Sequence, residues 1–289
     1  MVSSIDLGSN TLRICVMDEN KNIISSSEAI VGSARNLKKD GKLDNEAKKR
    51  IMSALEKFTH KYDLCKSKAV ATEAFRMASD SDEFFREIYA KFGIKFEIIS
   101  GESEAKLTAL AIKNRLEKLQ IYDKNALFID LGGGSSEISF GDNFKSFKFG
   151  IVTFFNEFNS LEKMQENADC VVKNATKFIQ KFNFDKVVLT SGVPTTLAAL
   201  KLKMDYQSYD ANLVNGTKLR YEEIKNAINE ISILDVSLAT KLLGKDRQIL
   251  MIAGCILLTN MLKNFKDREF IVIDDGLREG VCLYQLAKH

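Results

Sequence analysis

Histidine is nearly missing from this chain: only His60 and His289 occur in 289 residues. That excludes catalysis built on histidine and histidine-rich metal sites. Cysteine is scarce and scattered, at positions 15, 65, 170, 255 and 282, with no Cys-x-x-Cys spacing. This argues against a zinc site or a disulfide framework and fits a reducing, cytoplasmic setting. Each cysteine reads as a small apolar core residue. The single proline, Pro194, falls in the first turn of an expected helix, where its missing N–H is tolerated. The longest apolar run, 249–258, is too short to span a bilayer, so no membrane segment is expected. A strand begins almost at the first residue, so no signal peptide is expected either. Net charge is only +3, which points to no nucleic-acid partner while leaving a local basic cleft open. Low-complexity segments are absent. The remaining composition, 45% apolar and 28% charged, is that of a globular protein long enough for two domains.

Against these absences stands one glycine-rich stretch, Ile129-Asp130-Leu131-Gly132-Gly133-Gly134-Ser135-Ser136-Glu137. The apolar run 126–129 reads as a buried strand ending at Asp130, and a second strand, 137–140, leaves the turn. Glycines let backbone N–H groups approach a ligand closely, and consecutive N–H groups form an anion-binding concavity. An aspartate at the strand end can hold a divalent cation beside a bound phosphate. The alternative is a tight hairpin whose glycines only satisfy turn geometry. The pattern occurs twice, because Ser4-Ile5-Asp6-Leu7-Gly8-Ser9-Asn10-Thr11 repeats Ile-Asp-Leu-Gly at another strand end. Asp6 and Asp130 are a domain's length apart, which suggests a duplicated α/β domain. Two such cradles facing each other across a cleft would grip a polyanion from both sides.

Taken in order, the pattern predicts a long hairpin over 2–18 with 23–31 pairing back. A polar loop over 33–42 carries Arg35, Lys38 and Lys39. A helix capped by Asp44 runs to about 61. Short strands follow at 68–71 and 92–99, then a helix over 100–119 and an inter-domain link at 120–125. The second half repeats the strand, cradle and strand and adds a third strand over 145–152. Helices are expected at 162–181, from 193, at 220–234 and at 246–262, strands at 186–190 and 270–273, and a last helix from about 277. The domains therefore read as 1–120 and 121–276.

Six stretches carry a family resemblance: IDLGSNTLR (5–13), ATEAFRMAS (71–79), ISGESEAKL (99–107), IDLGGGSSE (129–137), SGVPTTLAAL (191–200) and DGLREG (275–280). In this order, over nearly the whole chain, they resemble the exopolyphosphatase/guanosine pentaphosphate phosphatase family, within the actin/Hsp70/sugar-kinase (ribonuclease H-like) superfold. The resemblance implies two duplicated domains with an inter-domain cleft, and a C-terminal helix, 277–289, packing back on the first. It implies the short form, without the helical HD-type domain of longer members. The implied activity is release of a terminal phosphate from inorganic polyphosphate, from guanosine pentaphosphate, or from both. Such a reaction needs positioning and charge stabilisation more than covalent chemistry.

Glu104 matches the family's catalytic glutamate and would orient or deprotonate the attacking water. Arg76 matches the family arginine and would neutralise a phosphate oxygen. Gly8, Ser9, Asn10, Gly132, Gly133, Gly134 and Ser135 are the expected phosphate cradles, with Arg13 and Thr195 as further substrate contacts. Asp6, Asp130 and Glu137 are the candidate ligands of Mg²⁺ or another divalent cation, and Glu137 also counts among the catalytic residues. The chain departs from the family pattern at Ser103, usually a second glutamate, at Thr153, often basic, and at Val193, usually threonine. The expected partner is the polyphosphate or guanosine polyphosphate substrate, with a homodimer open as an assembly. Two other readings stay open: a small-molecule kinase or ATPase with an adenosine pocket near 191–196, and a non-catalytic sensor of guanosine tetra- or pentaphosphate.

Overall fold

Strand β1 (Val2–Leu7) turns back into β2 (Thr11–Met17), and β2 into β3 (Ile23–Ile30). The computed structural model describes residues 1–37 and 41–288. Lys38 and Lys39 of the expected basic loop, and His289, lie outside the described residues. Asp44 caps helix α1 (Asn45–Thr59) by accepting the Glu46 N–H at 3.1 Å, and Ala47, Ile51, Ala54 and Leu55 form its buried stripe. Strand β4 (Lys68–Ala71) leads into the short helix α2 (Glu73–Met77), then α3 (Ser81–Phe92), β5 (Phe96–Ile98) and α4 (Gly101–Lys118). The strand expected over 92–99 is thus only three residues long. Helix α3 continues through Phe92, held by buried Phe84, Phe85 and Ile88, and stops at Gly93 in the left-handed conformation.

The second sheet opens with β6 (Ala126–Leu131), β7 (Ser136–Phe140) and β8 (Asn143–Phe147). The third strand does not reach residue 152. It stops at Phe147, and helix α5 (Ile151–Phe158) begins where the strand was expected to continue. There follow α6 (Leu161–Ile179), β9 (Lys186–Thr190), α7 (Gly192–Lys201), α8 (Ala211–Val214), β10 (Lys218–Arg220), α9 (Tyr221–Ser232), α10 (Val236–Leu243), α11 (Gln248–Leu262) and β11 (Glu269–Val272). Helix α10 and the edge strand β10 carry no pattern that the sequence reading picked out. The last helix, α12, is Leu277–Leu286.

The chain divides into two units, Met1–Ala111 with Leu277–His289, and Ile112–Gly276. The division falls inside α4, ahead of the link read at 120–125. In the first unit the sheet order is β3-β2-β1-β4-β5; in the second it is β10-β11-β9-β6-β7-β8. Setting aside the edge strand β10, the two have one wiring: an antiparallel meander of three strands, then two parallel strands beside the first. In the first unit α12 packs on β2 through Cys15, Met17, Cys282 and Leu283, and on β4 and the residue after β5 through Val70, Ile99, Leu277 and Val281. In the second unit the core gathers around α11. The stretch 248–265 is long and apolar enough to cross a membrane by length and composition, yet 67% of it is buried inside this unit, between the sheet and neighbouring helices.

Among the described residues all five cysteines are free. Cys15, Cys255 and Cys282 are buried, as read from the sequence, and burial pushes the Cys255 thiol up to about 12. Cys65 and Cys170 are exposed, contrary to that reading. Cys65 follows the end of α1 in a connection, and Cys170 faces outward on amphipathic α6.

Candidate active site

In the second unit the alternation of β6 sends Leu127, Ile129 and Leu131 into the core, so Asp130 points from the opposite face. Strand β7 does the same with Ile138 inward and Glu137 outward. Asp130 and Glu137 are cross-strand partners, Glu137 is in register with Ser146, and Asp130 with Thr190. One row, Thr190-Asp130-Glu137-Ser146, therefore crosses four strands at a side-chain spacing of about 5 Å. Glu137 is buried, and its Oε1 accepts the Ser146 hydroxyl at 2.7 Å. Thr190 donates to the Asp275 carbonyl at 3.1 Å.

The glycine turn beside this row is held from behind by α5. Ile151 N–H donates to Gly132 O at 3.0 Å and Val152 N–H to Gly133 O at 2.8 Å. The Thr153 hydroxyl donates to Gly134 O at 3.3 Å and accepts the Gly150 N–H at 2.9 Å. N–H groups that a helix start leaves without partners are satisfied by the turn's carbonyls. This is why residue 150 is glycine: a Cβ there would lie 2.5 Å from Gly133 C. One at Gly132 would lie 2.8 Å from Ser135 O. Thr153 thus serves the turn itself.

Ser191, which opens α7, has φ +87° and donates to Leu131 O at 2.6 Å, tying the end of β9 to the end of β6. The hydroxyls of Thr195 and Thr196 bond back to Ser191 O and Gly192 O at 2.8 and 2.6 Å. Val193 is fully buried against Gly254 of α11, so the departure at this position is a core contact.

In the first unit the equivalent row is Val70-Asp6-Arg13-Glu28. Asp6 is buried, and Arg13 forms an ion pair with Glu28 at 3.3 Å. A base thus occupies the place that Glu137 has in the second unit. The turn 8–11 is closed by Gly8 N–H to Thr11 O at 2.9 Å. Ser9 O accepts from Ala34 N–H at 2.8 Å, and Asn10 O from the N–H groups of Val31 and Gly32, both at 2.9 Å. Asn10 Oδ1 is buried with no hydrogen-bond partner among the described residues.

Arg76, on α2, bridges two buried carboxylates. Its Nε donates to Glu73 at 2.7 Å, Nη1 and Nη2 both reach Glu104 Oε2 at 3.1 Å, and Nη1 also donates to Ile99 O at 2.6 Å. Burial works against the charge on Arg76, but Glu104 and Glu73 outweigh it and raise its pKa. Glu102, two residues before Glu104 on α4, is exposed.

The carboxylate pair Asp130 and Glu137 offers hard oxygen donors suited to Mg²⁺, which keeps several of its waters and needs few protein ligands. Among the described residues no group of three or more His, Cys, Asp or Glu side chains forms a fuller metal site. Asp6 fits a cation less well, with Arg13 next to it. Sequence reading did not single out Ser146, Gly150 or Glu73. Ser146 could have been found only by carrying the register of β6 across β7 and β8; Gly150 lies beyond β8 and left no periodic signal; Glu73 stood within a motif already noted.

Two sheets of this wiring, each with an acidic glycine turn at the end of its first strand, define a protein of the actin-like ATPase fold. The chain belongs to the Ppx/GppA phosphatase family, whose profile matches residues 14–289. It is 28% identical to the guanosine-5'-triphosphate,3'-diphosphate pyrophosphatase of Pseudoalteromonas translucida, over 98% of this chain and 59% of that protein. It is 26% identical to a putative exopolyphosphatase of Haemophilus influenzae, over 100% of this chain and 92% of that one. A bifunctional 3-dehydroquinate synthase/phosphatase of Fusobacterium nucleatum is 26% identical, with 45% of its length covered, so the chain spans about half of some curated relatives. The crystal structure of the Aquifex aeolicus Ppx/GppA family member superposes with a TM-score of 0.78 at 28% identity, covering 99% of this chain and 97% of that one. The fold alone is shared with an exopolyphosphatase from Cytophaga hutchinsonii, at TM-score 0.85 and 21% identity over 99% and 98% of the chains.

Proposed function

We propose that this chain is a Mg²⁺-dependent phosphohydrolase that releases the terminal phosphate of inorganic polyphosphate, of guanosine pentaphosphate, or of both. The observation that carries the reading is the paired carboxylates Asp130 and Glu137 beside a glycine turn whose carbonyls are all engaged by α5 and Thr153. With its carbonyls held, the turn keeps its N–H side for phosphate oxygens. Asp130 and Glu137 would hold the cation, which supplies charge neutralisation of the phosphate oxygens. Glu104 orients the attacking water and accepts its proton. The ion pair with Arg76 holds the Glu104 carboxylate in place. Arg76 has further N–H capacity for a phosphate oxygen. Water oxygen bonds to the terminal phosphorus, the bridging P–O bond breaks, and the electron pair leaves on the shortened chain. The names of the relatives support both substrates. The five free cysteines agree with a reducing, cytoplasmic setting.

The test is phosphate release from long polyphosphate, short polyphosphate, guanosine pentaphosphate and ATP, side by side, with Mg²⁺ or with excess EDTA. Activity on one of the first three that EDTA and Asp130→Ala both abolish is expected. Undiminished hydrolysis in EDTA overturns the cation role. ATP turnover that requires an added acceptor would make the protein a kinase. Tight guanosine tetraphosphate binding with no phosphate release from any substrate would make it a sensor.

A further inference from the structure

Arg76 is held by two carboxylates, and only one of them, Glu104, has a part in the proposed reaction. The other, Glu73, accepts the Arg76 Nε–H at 2.7 Å. It stands three residues earlier on α2, a spacing that puts the two side chains on one face of the helix. We propose that Glu73 is a positioning residue: it anchors Arg76 at Nε, so that the Nη end of the guanidinium faces Glu104 and the phosphate under attack. The inference rests on the reading of Arg76 and Glu104 as a catalytic pair.

A guanidinium carries its N–H donors in one plane: one on Nε and two on each Nη. Among the described residues Nε donates to Glu73, Nη1 to the Ile99 carbonyl at 2.6 Å and to Glu104 Oε2 at 3.1 Å, and Nη2 to the same oxygen at 3.1 Å. One N–H of Nη2 is left over for a phosphate oxygen. Glu104 has to meet the attacking water during turnover, so the fixed anchors of the plane are Glu73 at Nε and Ile99 O at Nη1. Without the first, a long and flexible side chain would turn about the second. Only 8% of the Glu73 side chain is exposed, so water is poorly placed to take over the anchor. The fold itself does not ask for an acid at this place. Val70 stands beside Asp6 as Thr190 stands beside Asp130, and three residues further on the two units carry Glu73 and Val193. Both are buried, but Val193 is a core contact, whereas the charge of Glu73 goes to Arg76. Six residues further on than Thr190, Thr196 takes the place of Arg76. Acid and arginine thus occur together in the first unit, and the second has neither at these places.

The test is a double-mutant cycle on the full-length chain, read as kcat and KM for phosphate release from polyphosphate or guanosine pentaphosphate, whichever the wild type hydrolyses. Glu73→Met fills the space of the glutamate without an acceptor. Glu73→Gln keeps an oxygen for Nε, and Arg76→Ala removes the group to be positioned. Each variant is assayed at a temperature at which circular dichroism shows it folded. Glu73→Ala and Arg76→Lys stand in for Glu73→Met and Arg76→Ala where those fail to fold. Glu73→Met is expected to lower kcat about 10–100-fold, the scale of a misplaced catalytic group. Glu73→Gln is expected to retain most of that turnover. In the Arg76→Ala background Glu73→Met is expected to cause little further loss, because residues that act through one another do not add. A loss that repeats in full without Arg76 is what a purely structural role produces, and overturns the proposal. So does a Glu73→Gln as impaired as Glu73→Met, or a fold lost in both Glu73→Met and Glu73→Ala. Normal turnover in Glu73→Met with Arg76→Ala inactive overturns the positioning role alone. Normal turnover in Arg76→Ala overturns the catalytic reading of Arg76 and this inference with it.

Discussion

Glu102 and Glu104 share the first turn of α4, where either carboxylate complements the helix dipole. The fold separates them: Glu102 is exposed, and Glu104 is buried against Arg76. Glu104→Gln is therefore expected to lower kcat by about 10²-fold or more. It is also expected to lower stability by about 1–3 kcal/mol, because Arg76 loses a buried charged partner. Glu102→Gln is expected to change neither. Steady-state kinetics well below the melting temperature, with thermal denaturation of both variants, separates the effects; a folded, fully active Glu104→Gln sinks the catalytic assignment. A second residue, Asp80, makes stability depend on pH. Burial would raise its pKa, but Lys48 at 2.7 Å and the Leu43 N–H at 2.9 Å outweigh that and hold it below the usual carboxylate range. A depressed folded pKa stabilises the fold above the unfolded value of about 3.9 and ceases to do so as pH falls through the folded one. Asp80→Asn is expected to be less stable than wild type at pH 7 and to converge with it in acid. Urea midpoints that differ by a constant amount from pH 7 to pH 2 would contradict this.

At the scale of elements, the two glycine turns look alike in sequence and differ in support. The second is braced by α5, whose first N–H groups enter its carbonyls, and Gly150 makes that approach sterically possible. The first is closed by its own hydrogen bond and by the segment at 31–34. A Cβ on Gly8 would come no closer than 3.4 Å to any atom, within ordinary contact. Gly8→Ala is thus expected to fold normally and keep activity within a few-fold. Gly150→Ala is expected to lose about 1–3 kcal/mol or more, as overpacking against backbone does, and most activity, because the turn must shift. Equal effects of the two substitutions on melting temperature and turnover would refute the difference in bracing.

At the scale of the whole chain, the last helix belongs with the first residues. Helix α12 buries Leu277, Val281, Cys282 and Leu283, and Gly280 lets it press on α4, where a Cβ would stand 2.0 Å from Leu107 O. Burying a large aliphatic side chain contributes about 1.5–3 kcal/mol, so the helix as a whole is worth on the order of 5 kcal/mol or more. That is comparable with the entire stability of a domain, about 5–15 kcal/mol. A chain ended at Gly276 is expected to leave the first unit unfolded and the second protected, so that limited proteolysis yields a resistant fragment beginning near residue 112. A truncated chain resistant over both units would show that α12 is dispensable.

What the sequence determined by itself is local. Each Ile-Asp-Leu-Gly turn is contiguous, the alternation of β1 and β6 can be counted off, and Asp44 and Pro194 mark helix starts by their own chemistry. The repetition of the turn at a domain's distance was enough to expect the duplicated wiring that both sheets show. Tertiary structure decided what depends on contacts between distant residues. The pairing of Arg76 with Glu104 joins two helices that α3 and β5 separate in the chain. The end of β8 at Phe147 follows from the docking of Gly150 on the glycine turn, a steric fact with no periodic signature. Val193 proved a core contact because Gly254 of another helix makes room for it. The unlike neighbours of Asp6 and Asp130 follow from strand register, since only pairing brings Arg13 beside one aspartate and Glu137 beside the other.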